Sequence, residues 1–582
     1  MTDTAVQGSR RATKMLHGAR TSITSLPIYI WLIVLIVVPN VLLLIYSFWT
    51  EGDFGLDQTF TLSNYTSVLT SAVNLGLIER TVLIAVAVAV FATLVAFPMA
   101  FIVSQKLKRG RLMAVMLVVI PLWVSLLIRV FAWKIILGDR GVLNTGLMSL
   151  GLIHQPLAFL LYTRLTVFLT LTSVTIPYVF ISAYTSLERV PPSVLEAAAD
   201  LGGSSFRRFT TVTLPLVRPG LAIGFTLAFV LSVGDYLSPS LVGGLDGTMI
   251  GSVIVSQFGV ANNWPLGAAL AVVLLVAVIA VAGIVARAGR SRGTLEGDTG
   301  AGVATDAVPP SVRARRVANV ISYGYLLLTY AFLYLPLAMI AIFSFNDSSI
   351  QTLPLKSFTT AWYSELTNSP ALIAAFQRSV IVAVCAVALS IVFGAGFALI
   401  FAYRKPRAAG LLQGALTLPF LLPGVILGLS LAIVFRTIGL PFGLLTIILG
   451  HTSFITPIVM GVLLTRLRQM DPSIAHAAMD LGATPFRTFV DIIVPQLRTA
   501  LIGACLLGFT LSFDEVLVTF FLAGSQPTLP IYVYNQLRFG FTPTINALFT
   551  CIIVVSVALL LLGLRFVGGG SKDGRAQASP LA

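Results

Sequence analysis

About a dozen apolar runs decide what this chain can become. They fall at roughly 27–49, 80–104, 112–137, 163–187, 219–241 and 267–287, then at 320–345, 377–402, 410–436, 443–465, 500–523 and 546–566. A helix rises about 1.5 Å per residue, so runs of about 20 residues cross a hydrocarbon core of roughly 30 Å. Only 10% of the 582 residues are Asp, Glu, Lys or Arg, and 57% are hydrophobic. Mean hydropathy is +0.96. A soluble fold of this size needs more charge to face water. The expected fold class is therefore an all-α polytopic membrane protein with about 12 transmembrane helices.

The net charge of +15 is explained by position. Lys106, Lys108, Arg109 and Arg111 lie between runs two and three, and Arg189, Arg207, Arg208 and Arg218 between four and five. Arg404, Lys405 and Arg407, then Arg466, Arg468, Arg487 and Arg498, occupy the corresponding places later. The stretch after run one carries Glu51, Asp53 and Asp57 instead, and 237–266 has no Lys or Arg. This is the positive-inside pattern, which makes both termini cytoplasmic and leaves no need for a nucleic-acid partner. Cys385, Cys505 and Cys551 sit inside apolar runs and read as small core residues, giving neither a disulfide framework nor a metal site. The first apolar run is too long for a signal-peptide core and reads as a retained span.

One stretch occurs twice in fixed register. The first copy is Glu196-Ala197-Ala198-Ala199-Asp200-Leu201-Gly202, running on through Phe206 to Pro215. The second is His476-Ala477-Ala478-Met479-Asp480-Leu481-Gly482, running through Phe486 to Pro495. Asp200 and Asp480, Gly202 and Gly482, Pro215 and Pro495 all stand 280 residues apart, so the chain holds two copies of one unit. Each copy reads as helix, glycine bend, helix. Ser193 three residues before Glu196 is a capping-box pattern. Asp471-Pro472 is a cap followed by proline at the first helical position. Gly202 and Gly482 can take the left-handed conformation that ends a helix. The Ala-rich first helix is narrow enough for another protein to approach its backbone.

Charges inside the apolar runs are the other signal. Ser232-Val233-Gly234-Asp235-Tyr236 ends run five, and Ser512-Phe513-Asp514-Glu515 lies in run eleven, again 280 apart. Counting from Arg218 and Arg498, both patches lie about 25 Å into the core, toward its outer side. Two readings stand open: an acidic vestibule that attracts cations, or a helix end with solvated carboxylates at the outer interface. Arg129 in run three lies at similar depth and can pair with Asp235, snorkel outward, or touch substrate. Trp264 sits among aromatics expected at the membrane edge. His451 reads as a hydrogen-bonding core residue.

No phosphate loop, H-E-x-x-H, G-x-S-x-G or paired Cys-x-x-Cys is present. Neither an ATPase domain nor an embedded enzyme is expected in this chain. Duplicated halves with acidic spans also suit a gradient-driven secondary transporter, which would not need the paired loops.

The repeated stretch resembles the "EAA" loop of bacterial ABC-importer permeases: Glu196, Ala197, Ala198, Gly202 and Leu214-Pro215 match, while His476 stands where the second copy should have glutamate. From Pro121 to Leu275 the chain is similar to the first permease subunit of spermidine/putrescine importers, through Leu127-Ile128-Arg129, Trp133-Lys134-Ile135 and Trp264-Pro265-Leu266-Gly267. From Ser344 to about Ser556 it is similar to the second, through Ser344-Phe345-Asn346, Trp362-Tyr363-Ser364 and Phe509 to Glu515. The resemblance implies a fusion of two permeases of the type I importer fold, as two parallel six-helix repeats. The expected layout is a cytoplasmic tail at 1–26, a first repeat at 27–287, a linker at 288–316, a second repeat at 317–567 and a tail at 568–582. It implies a bacterial inner-membrane location. It also implies coupling loops that dock two copies of a separate ATPase, and a substrate-binding protein at the outer face. ATP and Mg would be bound by the ATPase, with no cofactor in this chain. The implied solute is a polyamine, although similar permeases serve phosphonates, opines, ferric iron or thiamine.

Overall fold

The computed structural model describes residues 26–52, 55–107, 110–289, 312–348, 351–352, 354–404, 409–539 and 542–569. The expected linker lies largely outside the described residues, as do most of both expected tails. Among the described residues, nine helices are long and apolar enough to cross a membrane, or eleven if each of two sharply bent pairs counts as one span.

The first half contains α1 (Leu26–Tyr46) and α2 (Ala72–Gln105). The bent pair α3 (Arg111–Trp123) and α4 (Leu126–Leu137) follows. Then come α5 (Arg164–Glu188), the loop helix α6 (Pro192–Asp200), α7 (Leu214–Val233), α8 (Ile250–Phe258) and α9 (Trp264–Gly289). The second half repeats the order. It has α10 (Asn319–Phe343), α11 (Pro370–Tyr403) and the bent pair α12 (Ala409–Leu421) and α13 (Gly424–Thr437). These lead to α14 (Leu444–Gln469), the loop helix α15 (Pro472–Asp480), α16 (Val494–Phe513), α17 (Leu529–Phe539) and α18 (Thr544–Gly569). The last expected run, 546–566, falls within α18, a helix of 26 residues.

Four apolar runs are not continuous helices. Run three bends by 92° at Val124-Ser125 and run nine by 93° at Leu422-Pro423. Pro121, Pro419 and Pro423 lack the N–H that would carry the ladder through. Runs five and eleven, expected across 219–241 and 500–523, stop as long helices at Val233 and Phe513. They continue as short turns at Pro239–Gly243 and Thr519–Leu522.

Each half has a three-helix centre, α2, α5 and α7 in the first and α11, α14 and α16 in the second. The first span of each half crosses to the other half. The α1 helix packs on α13, with Trp31 edge-on to Phe397 of α11 at 5.9 Å. The α10 helix packs on α4. Its Tyr325, Tyr330 and Tyr334 hydroxyls donate to the carbonyls of Val95, Ala114 and Leu117 at 2.6–2.8 Å, while Lys106 reaches Ser322 at 2.7 Å. Exchange of the first spans ties the two repeats together through buried polar contacts, not only through apolar area.

The repeat has two registers. Before the bent pair it is 297 or 298 residues: Ser47–Tyr65 and Ser344–Tyr363 form the same hydroxyl pair, at 2.6 and 2.7 Å. The stacked rings Phe48–Phe60 and Phe345–Phe358 match likewise. From α5 onward the offset is 280. The first half therefore carries 18 extra residues between α4 and α5, where the short helix Val142–Ser149 and a 3-10 turn lie.

Candidate functional site

The two repeated loops fold alike from the body of the first helix onward. In each, a nine-residue helix ends at Asp200 or Asp480, and the chain reverses through Gly202 (φ 76°) or Gly482 (φ 88°). The bend is closed by Gly203 N–H on Ala198 O and by Ala483 N–H on Ala478 O, both 3.0 Å. That six-to-one bond with a left-handed residue is a Schellman end. Short helices then start under side-chain caps, Arg207 N–H on Ser204 and Arg487 N–H on Thr484, both 3.3 Å. The starts of α6 and α15 differ. Asp471 caps α15, accepting from Ser473 N–H at 2.9 Å, and these bonds hold its carboxyl below the usual carboxylate range. The α6 helix begins at Pro192 with Pro191 before it and has no side-chain cap. Ser193 lies inside the first turn, so the expected capping box does not form.

The loop surface is apolar where it faces outward. Leu201 is 83% exposed, Phe206 77%, Leu481 90% and Phe486 76%. Glu196, Ala197, Asp200, Ala477 and Asp480 are exposed beside them. Large side chains are held that far into solvent twice, at matching positions.

Each loop is continuous with the helix that leads inward. Ser205–Val233 and Phe486–Phe513 run 29 and 28 residues without a break, about 43 Å at about 1.5 Å per residue. Pro215 and Pro495 have no N–H to return to Thr211 and Asp491. The ladder slips to π turns at Phe209–Thr213 and Phe489–Ile493 just before them. The exposed leucine and phenylalanine thus sit at one end of a rod, and the acidic patch at the other.

At that other end the acidic residues are spoken for, Asp235 buried and Asp514 and Glu515 half-buried. Asp235 is 2% exposed. It accepts from Leu237 N–H at 2.8 Å, Ser238 N–H at 3.2 Å and the Ser238 hydroxyl. Glu515 stands 280 residues on and caps the next turn in the same way, accepting from Val518 N–H at 2.9 Å. Asp514 reaches across the two halves, accepting from Leu126 N–H, the first residue of α4, at 3.2 Å. Its register partner Gly234 meets the other bend: a Cβ there would lie 2.6 Å from Pro423 Cβ. The helix end of each half therefore abuts the bent pair of the other.

An aromatic cluster fills the junction. Tyr236 is fully buried, with Phe520 and Tyr534 rings at 5.4 and 6.1 Å, and its hydroxyl has no partner among the described residues. Asp235, Glu515 and Tyr534 lie within electrostatic reach of it. Arg129 is 6% exposed and donates to Val174 O at 3.5 Å. Asp514 and Tyr178, not Asp235, are the groups acting on it. Trp264 is buried under Arg436 of the second half, whose guanidinium is 4.3 Å from the ring centre. That is a cation–π contact between halves.

Sequence reasoning missed the bent pairs, though Pro121 and Pro423 inside apolar runs were their signal. It placed His451 correctly as a core residue but missed its partners. The ring bridges Ser512 at 2.7 Å and Thr519 at 2.8 Å, on either side of the break after Phe513.

Residues 390–568 match the family described as "Binding-protein-dependent transport system inner membrane component". The chain is 32% identical to the spermidine/putrescine transport system permease protein PotB of Haemophilus influenzae, over 45% of this chain and 92% of that protein. It is 39% identical to the putrescine transport system permease protein PotI of Escherichia coli, over 39% of this chain and 84% of that protein. With the spermidine/putrescine transport system permease protein PotC of Escherichia coli, identity is 30% over 42% of this chain and 93% of that protein. A solved bacterial ABC transporter involved in alginate import aligns at a TM-score of 0.41 and 16% identity, covering 49% of this chain and all of the aligned chain. Single permeases are thus matched over most of their length by separate halves of this chain. The chain belongs to the family of binding-protein-dependent transport-system inner-membrane components, as two permeases fused in one polypeptide.

Proposed function

We propose that this chain is the whole transmembrane unit of an ATP-driven importer for a polyamine such as spermidine or putrescine. Two copies of a separate ATPase dock on the two loops, and ATP and Mg belong to those subunits. An extracytoplasmic binding protein delivers the solute to the outer face of the inner membrane, with both termini of this chain cytoplasmic. The observation that carries the reading is the pair of matching loops, each presenting an exposed leucine and phenylalanine. Two matching surfaces suit two copies of one partner. The polyamine assignment rests on the relatives, whose names give spermidine and putrescine, and on Asp235, Glu515 and Tyr236 at the junction between halves.

The geometry suggests how the cycle runs. Closure of the ATPases draws the loops together, and each loop moves its rod. The far ends of the rods hold the junction, so motion there separates the two halves and opens the aromatic cluster between them. This is alternating access about an axis between parallel repeats. Once the halves part, Asp235 and Glu515 offer a carboxylate from each side, with Tyr236 and Tyr534 between, to a solute carrying positive charge at intervals.

The test is co-purification from mild detergent, then uptake of radiolabelled putrescine and spermidine by cells with and without the chain. The expected result is an ATPase recovered with the chain and polyamine uptake that requires it. An ATPase without polyamine uptake would overturn the substrate. Absence of both would overturn the importer in favour of gradient-driven transport.

A further inference from the structure

The two half-helices that begin at the bends are not treated alike. The N-terminus of a helix carries unsatisfied N–H groups and about half a positive charge. In transporters with broken helices such ends attract anionic groups of the substrate. The α13 helix begins at Gly424 with no side-chain cap, and Gly234 packs against Pro423 with no room for a side chain. The α4 helix begins after Ser125, which makes no cap bond to its own helix. Its N-terminus is filled by Asp514 of the other half, which binds Leu126 N–H and also takes a hydrogen bond from Ser125.

One turn into α4 stands Arg129, buried, with its Nε unpartnered among the described residues. A helix N-terminus and a buried guanidinium together make a positive site; Asp514 bonds to the first and, among the described residues, is the acid within electrostatic reach of the second. Beside the carboxylate is a cavity of about 30 Å³, with Ser125, Thr510 and Ser556 among its lining groups, room for about one water.

We propose that Asp514 is a specificity-determining residue: it is a built-in anion that masks an anion site at the junction of the two halves. With it in place, the junction offers passing solute no vacancy for negative charge, and the remaining carboxylates, Asp235 and Glu515, favour cations. At the equivalent glycine of the first half no such site exists, because α13 has no arginine at the position matching Arg129, where Leu427 stands. The inference rests on the reading that solute passes between the halves, but the masking itself does not depend on which solute that is.

The test supplies the missing carboxylate from outside. Full-length Asp514→Gly and Asp514→Ala chains are purified in lipid nanodiscs and melted in sodium acetate or sodium gluconate at equal ionic strength. Acetate matches the removed side chain, and gluconate is too large for the vacancy. The expected result is a saturable rise in melting temperature with acetate for either variant, none for the native chain, and loss of that rise when Arg129→Gln is added. An equal acetate response in the native chain, no response in both variants, or a rise that survives Arg129→Gln would overturn the proposal. A positive melt with no polyamine uptake would leave the masked site standing and remove only the assigned solute.

Discussion

The Tyr334 hydroxyl donates to the Leu117 carbonyl across 2.8 Å, and that carbonyl is the one Pro121 leaves without an amide partner. In a regular helix residue 121 would return its N–H to residue 117, and proline has none. The bend in α3 is thus completed by a side chain from the other half of the protein. The fold couples the two repeats at the point where one of them is locally weakest.

Replacing Tyr334 by phenylalanine leaves Leu117 O unpaired in an apolar setting and should lower stability by about 1 kcal/mol. Phenylalanine at Tyr323, which is 56% exposed, should change nothing. Thermal unfolding of the two variants in detergent reads the difference. Equal melting temperatures would show that Leu117 O finds another donor.

The exposed pairs on the loops make a prediction about binding. Leu201→Ala with Phe206→Ala, or Leu481→Ala with Phe486→Ala, removes solvent-facing apolar surface and should leave the stability of the isolated chain within about 0.5 kcal/mol of native. Loss of buried contact at an interface costs about 1–3 kcal/mol per large side chain, so ATPase recovery in pull-down should fall at least tenfold. Undiminished recovery with both pairs removed would place docking elsewhere.

How far the residues announced this arrangement differs from element to element. The loops were legible because their signals are local: a glycine with positive φ, a cap, a proline. The rods were legible as apolar runs. Their ends were not, because hydropathy reports which residues avoid water and is silent on where a ladder stops. Val233 and Phe513 end helices because Asp235 and Glu515 fold back onto the next N–H groups, a choice apolar counting cannot see. The reach of Asp514 to Leu126 crosses 388 residues of chain, and no periodicity encodes a contact between repeats. The 18 extra residues before α5 went unread because the register was measured only after them.

His451 tests whether the second break is held by one side chain. Its two ring nitrogens bind hydroxyls on either side of the turn after Phe513. His451→Leu keeps the volume and strands Ser512, while Thr519 keeps its bond to Glu515 O, at a cost of about 1–2 kcal/mol; His451→Gln, which can still bond, should recover part of it. Unfolding of the purified chain measures both. A leucine variant as stable as native would show that the Ser512 hydroxyl rebonds to its own backbone.

Asp471 gives the two loops different pH responses. Its carboxyl is held below the usual range by its bond to Ser473. A depressed carboxyl adds stability that is present above its unfolded pKa, about 3.9, and lost as pH falls through the lower folded value. The α15 helix should therefore loosen below about pH 4, while α6, which has no side-chain cap, keeps its exchange protection. Amide exchange of the two loops, corrected for intrinsic rates, reads this, and Asp471→Asn should flatten the α15 profile. Parallel profiles in the native chain would refute it.

Gly234 carries the sharpest prediction about coupling. A methyl group there would sit 2.6 Å from Pro423 Cβ and 3.0 Å from Pro423 Cα, and proline at a bend has no rotamer by which to yield. Overpacking of this kind costs about 1–3 kcal/mol, and it falls wholly on the conformation in which the two halves meet. Gly234→Ala should shift the chain toward states with the junction parted, so the assembled transporter should hydrolyse ATP without delivered substrate at a rate up to about tenfold above native. Gly503, a glycine of α16 whose added methyl meets nothing within 4 Å, supplies the control, and Gly503→Ala should hydrolyse as native. Basal hydrolysis by the purified complex decides the matter. If Gly234→Ala and Gly503→Ala behave alike, contact between Gly234 and Pro423 does not hold the halves together.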